Sequence, residues 1–250
     1  MKYGILCAMQ EEIALLEQDI TSENTTHIAG RAYYEGTLYG REVVLAQSRI
    51  GKVASASTVT TMLDHFHADC IIFCGTAGGI DPALAVGDVV VADQLVQHDI
   101  DTGSDRFRVP LLNIDYFKTD TRLSADIHKA VEVFIRERMH SDIPQKHLDD
   151  FGIRNPKVAV GTIASGDQFI CDPAKHHWLA EQLENLKCVE MEGAAVAQVC
   201  YEFGIPCAVV RVISDSANDS SSVDFDQFIV EAACHFTRGA VKAFLESISA

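Results

Sequence analysis

Short apolar runs that stop at glycine or acid, each followed by helical spacing, most restrict how this chain can fold. Residues 3–9 form such a run, and residues 11–19 then space Ile13, Leu15 and Leu16 as a helix does. Residues 70–74 run into Gly75-Thr76-Ala77-Gly78-Gly79, residues 158–163 end at Ser165-Gly166-Asp167, and residues 206–213 end at Ser214-Asp215. These runs are apolar at consecutive positions, as in strands covered on both faces. Strands of that kind, alternating with helices at 52–66, 124–138, 175–186, 191–203 and 225–245, predict an α/β fold. Another strand begins at 89–92, and residues 32–39 and 42–46 flank a turn at Gly40-Arg41, a hairpin within a meander over 26–50. With no linker or repeat to divide it, the chain is expected to form one domain over residues 1–250, a central mixed, twisted β-sheet flanked by helices.

Composition narrows the partners. Of 250 residues 48% are hydrophobic, enough for a sizeable core. Asp and Glu number 36 against 20 Lys and Arg, and the resulting net charge of −16 repels phosphate backbones and anionic bilayers. Neither nucleic acid nor a membrane is therefore an expected partner. No window reaches the roughly 18 apolar residues of a membrane span, and Gln10-Glu11-Glu12 ends the first apolar run too early for a signal peptide. The eight cysteines sit mostly in apolar runs, without CxxC or a Cys/His zinc spacing. Buried free thiols, a cytoplasmic setting, no metal and no cofactor are expected.

In open α/β sheets ligands collect beyond the carboxyl ends of strands. Unusual groups stand there: Glu11-Glu12 behind Met9, the glycine-rich 75–79, Asp167-Gln168-Phe169-Ile170, and Ser214-Asp215. Val189-Glu190-Met191-Glu192 adds two carboxylates where an apolar strand meets a helix. A plainer account exists for each. Glu11, Glu12 and Glu192 suit the first turn of a helix through its dipole, and Asp215 suits a turn cap. The glycine segment lacks GxGxxG spacing and a P-loop lysine, so a tight turn and a ligand contact remain equally open. The histidines at 65, 67, 176 and 177 belong on the surface; His98-Asp99, after an apolar strand, could line a cleft, though the surface is the expected place, and no Ser/His/Asp arrangement is present.

Taken together these segments carry a family pattern. Ala8-Met9-Gln10-Glu11-Glu12, Ile50-Gly51-Lys52-Val53-Ala54, Gly75-Thr76-Ala77-Gly78-Gly79 and Val86-Gly87-Asp88 occur in order. His98-Asp99, Ser165-Gly166-Asp167-Gln168-Phe169-Ile170, Val189-Glu190-Met191-Glu192, Val210-Arg211-Val212-Ile213-Ser214-Asp215 and Phe225-Asp226-Gln227-Phe228 follow. The chain resembles, over essentially its full length, the 5′-methylthioadenosine/S-adenosylhomocysteine nucleosidases of the purine nucleoside phosphorylase superfamily.

That resemblance implies a nucleoside phosphorylase-like fold and irreversible hydrolysis of an N-glycosidic bond, giving adenine and a 5-thioribose. It implies Asp215 as general acid at adenine N7, for which a buried strand end would raise its pKa, and Glu12 as the group activating water. Glu192 would hold the ribose hydroxyls, Met191 would pack on the ribose, Phe169 on the adenine face, and the Ile170 backbone on the adenine edge. Thr76, Ala77 and Gly78 would line the substrate, with Thr76 replacing the serine of many members. Arg211 and Ser214 would support Asp215 and the sugar. Met9, Ile50 and Phe225 would form the 5′-alkylthio pocket, completed by the loop of a second copy, so a homodimer is implied. That loop diverges here over 102–112, with Phe107 its retained aromatic, and the 140–156 segment is longer than in compact members. Three rivals stand beside this reading. They are a 6-amino-6-deoxyfutalosine hydrolase, a phosphate-dependent phosphorylase (which Glu11-Glu12 disfavours), and a silent nucleoside-binding protein.

Overall fold

A computed structural model describes residues 1–215 and 221–248, with only the backbone described for 221–224. The strands predicted from consecutive apolar residues are those with both faces covered. In β1 (Tyr3–Cys7), β5 (Cys70–Gly79) and β10 (Cys207–Asp215) nearly every residue is buried. Alternate side chains divide between two cores, as the two-residue period of a strand requires. Ile5, Ile72 and Val210 enter the first, and Leu6, Phe73 and Val209 the second. Helices α1 (Gln10–Asp19), α3 (Thr121–Glu137) and α9 (Cys234–Ser247) pack on the first face. The second is covered by α2 (Lys52–Asp64) and α7 (Gly193–Phe203).

The sheet is mixed and partly closed. Strands β6 (Val89–Gln97), β8 (Val158–Ser165) and β9 (Leu186–Glu190) join β5 and β10 in a ring, because β10 pairs with both β5 and β6 while β9 pairs with both β5 and β8. From β5 the sheet continues through β1 to β4 (Arg41–Gln47), β3 (Arg31–Leu38) and β2 (Thr21–Ile28). A two-residue strand, β7 (Phe117–Lys118), pairs with β6.

Several sequence expectations shift. The glycine-rich 75–79 segment is the continuation of β5 and not a tight turn. The β3–β4 turn falls at Tyr39-Gly40, both at positive φ, one residue before the expected site. β2 lay outside the predicted strands because its side chains are mostly polar and exposed; it is held by backbone pairing at the sheet's edge. The helix expected over 175–186 is α6 (Pro173–Gln182), and the apolar residues beyond it form β9. The 140–156 segment holds two short helices, α4 (Met139–Asp142) and α5 (Gln145–Asp150), which send Met139 and Leu148 into the first core. The last helix begins as α8 (Ser221–Phe228) and passes through a π-helical turn at Ile229–Ala233 into α9. All eight cysteines are free; Cys171 is exposed and Cys234 half-buried. Among the described residues no helix is long and apolar enough to cross a membrane.

Candidate active site

Buried carboxylates need donors, and three of them here take the amides at the start of a helix. Glu12, in the first turn of α1, reaches back to the N–H groups of Ala8 (3.1 Å) and Met9 (3.0 Å). It also accepts from the Thr76 N–H (2.9 Å) and hydroxyl (3.0 Å) on β5. Glycine at 75 makes this approach possible, since a methyl group there would lie 2.9 Å from Glu12 Oε1. Glu12 thus both caps α1 and is pinned against the neighbouring strand. Glu11, one residue earlier, is exposed. Burial pushes the Glu12 carboxyl above its ordinary pKa, against the charge of Arg211 and the donors of Met9 and Thr76.

Glu192, just before α7, accepts from the Gly51 N–H at the start of α2 (2.8 Å). Its carboxyl is pushed up to about 8, first by burial and then by the neighbouring charge of Glu190, with Arg211 and the Gly51 amide opposing. Glu190, the last residue of β9, accepts from the N–H groups of Glu192 (3.2 Å) and Gly193 (2.8 Å) and from the Ser165 hydroxyl. It also forms a 2.6 Å ion pair with Arg211. Arg211 is 1% exposed, lies over the Phe73 ring at 4.0 Å and donates to the Phe73 carbonyl (3.3 Å). Burial opposes its charge, yet Glu190, Glu192 and Glu12 hold its pKa above the ordinary value. One guanidinium thus neutralises part of a cluster of three acids.

Asp215 ends β10 at 2% exposure and accepts from the Ser214 hydroxyl at 2.8 Å. The β10–β5 register shifts between Ile213 and Asp215, which sets Asp215 opposite Gly78. Such a bulge re-aims a side chain at the end of a strand.

These elements close around one cavity of about 130 Å³. Met9, Glu12, Ile50, Thr76, Ala77, Gly78, Phe169, Ile170, Met191, Glu192, Asp215 and Phe225 line it, so twelve of the fifteen residues singled out in the sequence share one space. Ser214, itself buried, donates its hydroxyl to Asp215 and to the Ala77 carbonyl. Arg211 turns its guanidinium to Glu190, a partner the sequence reading had not given it. Phe107 packs against Trp178, ring centres 5.8 Å apart, away from this cavity. His98, expected on the surface, is 3% exposed because Gly166 leaves room for its ring. Ala8, Gln168, Val189 and Glu190 also line the cavity and had been given no role. The signal for Glu190 was present: an acid closing an apolar strand is buried and needs a cation, and Arg211 is the cation inside an apolar strand. No described lining residue is Lys, Arg or His, and no cluster among the described residues has the makings of a metal site.

The chain belongs to the phosphorylase superfamily, whose family profile matches residues 2–246. Its sequence is 37% identical over 238 residues to the 5′-methylthioadenosine/S-adenosylhomocysteine nucleosidase of Anoxybacillus flavithermus, a match covering 94% of each protein. Its structure matches the S-adenosylhomocysteine nucleosidase of Streptococcus pyogenes in complex with 5-methylthiotubericidin. The TM-score there is 0.86 and the identity 34%, covering 100% of this chain and 98% of that one. The futalosine hydrolase of Helicobacter pylori is similar too, with a TM-score of 0.82 and 30% identity over 99% of this chain and 98% of that one. This chain is an enzyme of the nucleosidase class, an N-glycosyl hydrolase.

Proposed function

We propose that the protein hydrolyses the N-glycosidic bond of 5′-methylthioadenosine and S-adenosylhomocysteine, releasing adenine and the 5-thioribose. The observation that carries this is one cavity bounded by Glu12, Glu192 and Asp215 and walled by Phe169, Phe225, Met9 and Ile50. As the bond to adenine breaks, the ribosyl carbon becomes cationic and the base departs with the bonding electron pair. Asp215 gives its proton to adenine N7, and water bonds to the ribosyl carbon while Glu12 takes the water's proton. Burial raises the basicity of Glu12, which suits that task. Glu192 in its ionised form accepts the ribose hydroxyls, and the negative charge it then carries favours the cationic sugar. Phosphate in place of water finds no described cation on the cavity wall, which disfavours a phosphorylase. The 5′ side is open at Ile50, 54% exposed. A second copy offering its 102–112 loop, Phe107 included, would close it in a homodimer.

Incubation with methylthioadenosine, with and without phosphate, tests the reading. Adenine and free methylthioribose should appear in both, and strict phosphate dependence with a sugar 1-phosphate product would overturn hydrolysis. Asp215→Asn should lower kcat by about 10²–10⁴-fold with the fold retained, the usual worth of a positioned acid; near-normal kcat would remove Asp215 from that role. Similarity to a futalosine hydrolase favours a second substrate, 6-amino-6-deoxyfutalosine, at the same cavity. A comparison of kcat/KM for the two substrates ranks them.

A further inference from the structure

The sugar side and the base side of the cavity come from segments far apart in sequence, and a closed ring of polar contacts ties them together. At the start of α2, the Gly51 N–H donates to Glu192 (2.8 Å) and the next amide, of Lys52, donates to Asp167 Oδ1 (2.9 Å). The Asp167 N–H donates to Asp99 Oδ2 (2.9 Å), and Asp99 Oδ1 meets Lys52 Nζ at 2.5 Å. The ring is thereby closed through both the backbone and the side chain of Lys52. Lys52 Nζ also donates to Gln97 Oε1 (3.2 Å), which anchors it to the end of β6. The Lys52 and Asp99 side chains are only 17% and 15% exposed. The loop after Gly166 rests on the buried His98 ring: a methyl group on Gly166 would lie 2.3 Å from His98 Cε1. Two residues beyond Asp167 stands Phe169, and then Ile170, both on the cavity wall.

We propose that Lys52 and Asp99 are positioning residues that set the separation between the Glu192 carboxylate and the Phe169–Ile170 wall. The idea rests on the nucleosidase reading for its catalytic consequence and stands on geometry alone for its structural one. Neither residue lines the cavity. Asp99 carries the link, because its two oxygens join α2 to the 167–170 segment. Without it, that segment keeps the Lys52 amide contact to Asp167 and loses the return contact. A substrate must then order the wall as it binds. That burden falls on binding, and the groups at the reacting atoms stay as they are.

Asp99→Ala should raise KM for methylthioadenosine by about 10–100-fold, the scale of a small misplacement, with kcat changed by less than about threefold. Lys52→Met should act alike, and the double variant should be no worse than the poorer single one, the mark of two residues in one contact. Asp99→Asn, which keeps an oxygen for the Asp167 N–H and loses the charge, should fall between wild type and Asp99→Ala. In the substrate-free protein, amide hydrogen exchange should quicken in Asp99→Ala at residues 51–52 and 167–170 and stay unchanged in β1, β5 and β10. A KM within twofold of wild type, a loss confined to kcat, additive single variants, or faster exchange throughout the sheet would each overturn the proposal. Should the wild-type protein release no adenine, the nucleosidase reading falls by itself, and hydrogen exchange still decides whether the ring holds the wall.

Discussion

The floor and the rim of the cavity are built on opposite terms. On the floor, Glu12, Glu190 and Glu192, with Arg211 packed behind them, are each at most 8% exposed, and every one is tied to backbone amides, carbonyls or another charge. On the rim, Phe169 is 45% and Ile50 54% exposed, and Phe169 meets Phe225 edge to face with ring centres 5.6 Å apart. The floor's groups are obligations of the fold: a buried charge without its partner costs more than the pair contributes. The rim's apolar surfaces are obligations of binding, since the fold leaves them in water. Substitutions on the floor should therefore disturb stability and turnover together, and those on the rim should move substrate affinity alone.

Removal of the cation behind the floor is the most severe test. Arg211→Met should destabilise the protein by about 3–5 kcal/mol, the usual cost of orphaning a buried charge, and should abolish turnover. The loss should shrink as pH falls, because Glu192 and Glu12, already raised by burial, take up protons more readily once the guanidinium is gone. Denaturant titrations at pH 5.5 and 8 check this. Equal losses at the two pH values would mean that packing over Phe73, and not charge, is what Arg211 supplies.

Glu192 allows a gentler test in which stability and binding part company. Its pKa lies raised at about 8 against 4.5 when unperturbed. Between those values the folded state holds a proton the unfolded chain has lost. Its contribution to stability is thus fully present below about 4.5 and disappears as pH rises through 8. Affinity runs the other way, because the ribose hydroxyls need the ionised form as acceptor. From pH 6.5 to 8.5 an inert adenine nucleoside analogue should bind several-fold tighter while the unliganded protein loses stability, and Glu192→Gln should flatten both trends. Parallel trends would show that Glu192 is not the group the sugar meets.

Much of this arrangement was legible in the sequence for a physical reason. A strand buried on both faces must be apolar, so an acid or glycine at its end stands out, and Glu12, Glu192 and Asp215 announced themselves in that way. The closure of the β5, β10, β6, β8 and β9 ring did not, because pairing of β10 with two neighbours is a long-range register matter that local pattern does not record. The glycines at 75–79 leave a turn and a ligand contact equally open for a related reason: they continue a strand in which a neighbour presses close, as Glu12 does on Gly75. His98-Asp99 reads as surface more readily than as cleft lining because the cover comes from Gly166 and Lys52, distant in sequence. The Arg211–Glu190 pair is legible only as two misfits, each in its own apolar strand.

The rim carries the smallest expected effect and the sharpest test of the contrast. Phe169→Ala removes an aromatic face worth about 0.5–1.5 kcal/mol beyond simple burial, so KM for methylthioadenosine should rise about tenfold while kcat changes little. Stability should move by less than about 1 kcal/mol, as for a half-exposed side chain with no hydrogen bonds. Phe225 complicates the accounting, because removal of Phe169 also frees the ring that meets it edge to face. Phe169→Leu separates the two contributions: it keeps apolar contact with Phe225 and offers no flat face to adenine. If leucine restores KM, the rim works by excluding water. If it behaves as alanine does, the stacked face is what the substrate requires. A stability loss above about 2 kcal/mol in either variant would mean that the rim is part of the core, and the distinction between floor and rim would fail there.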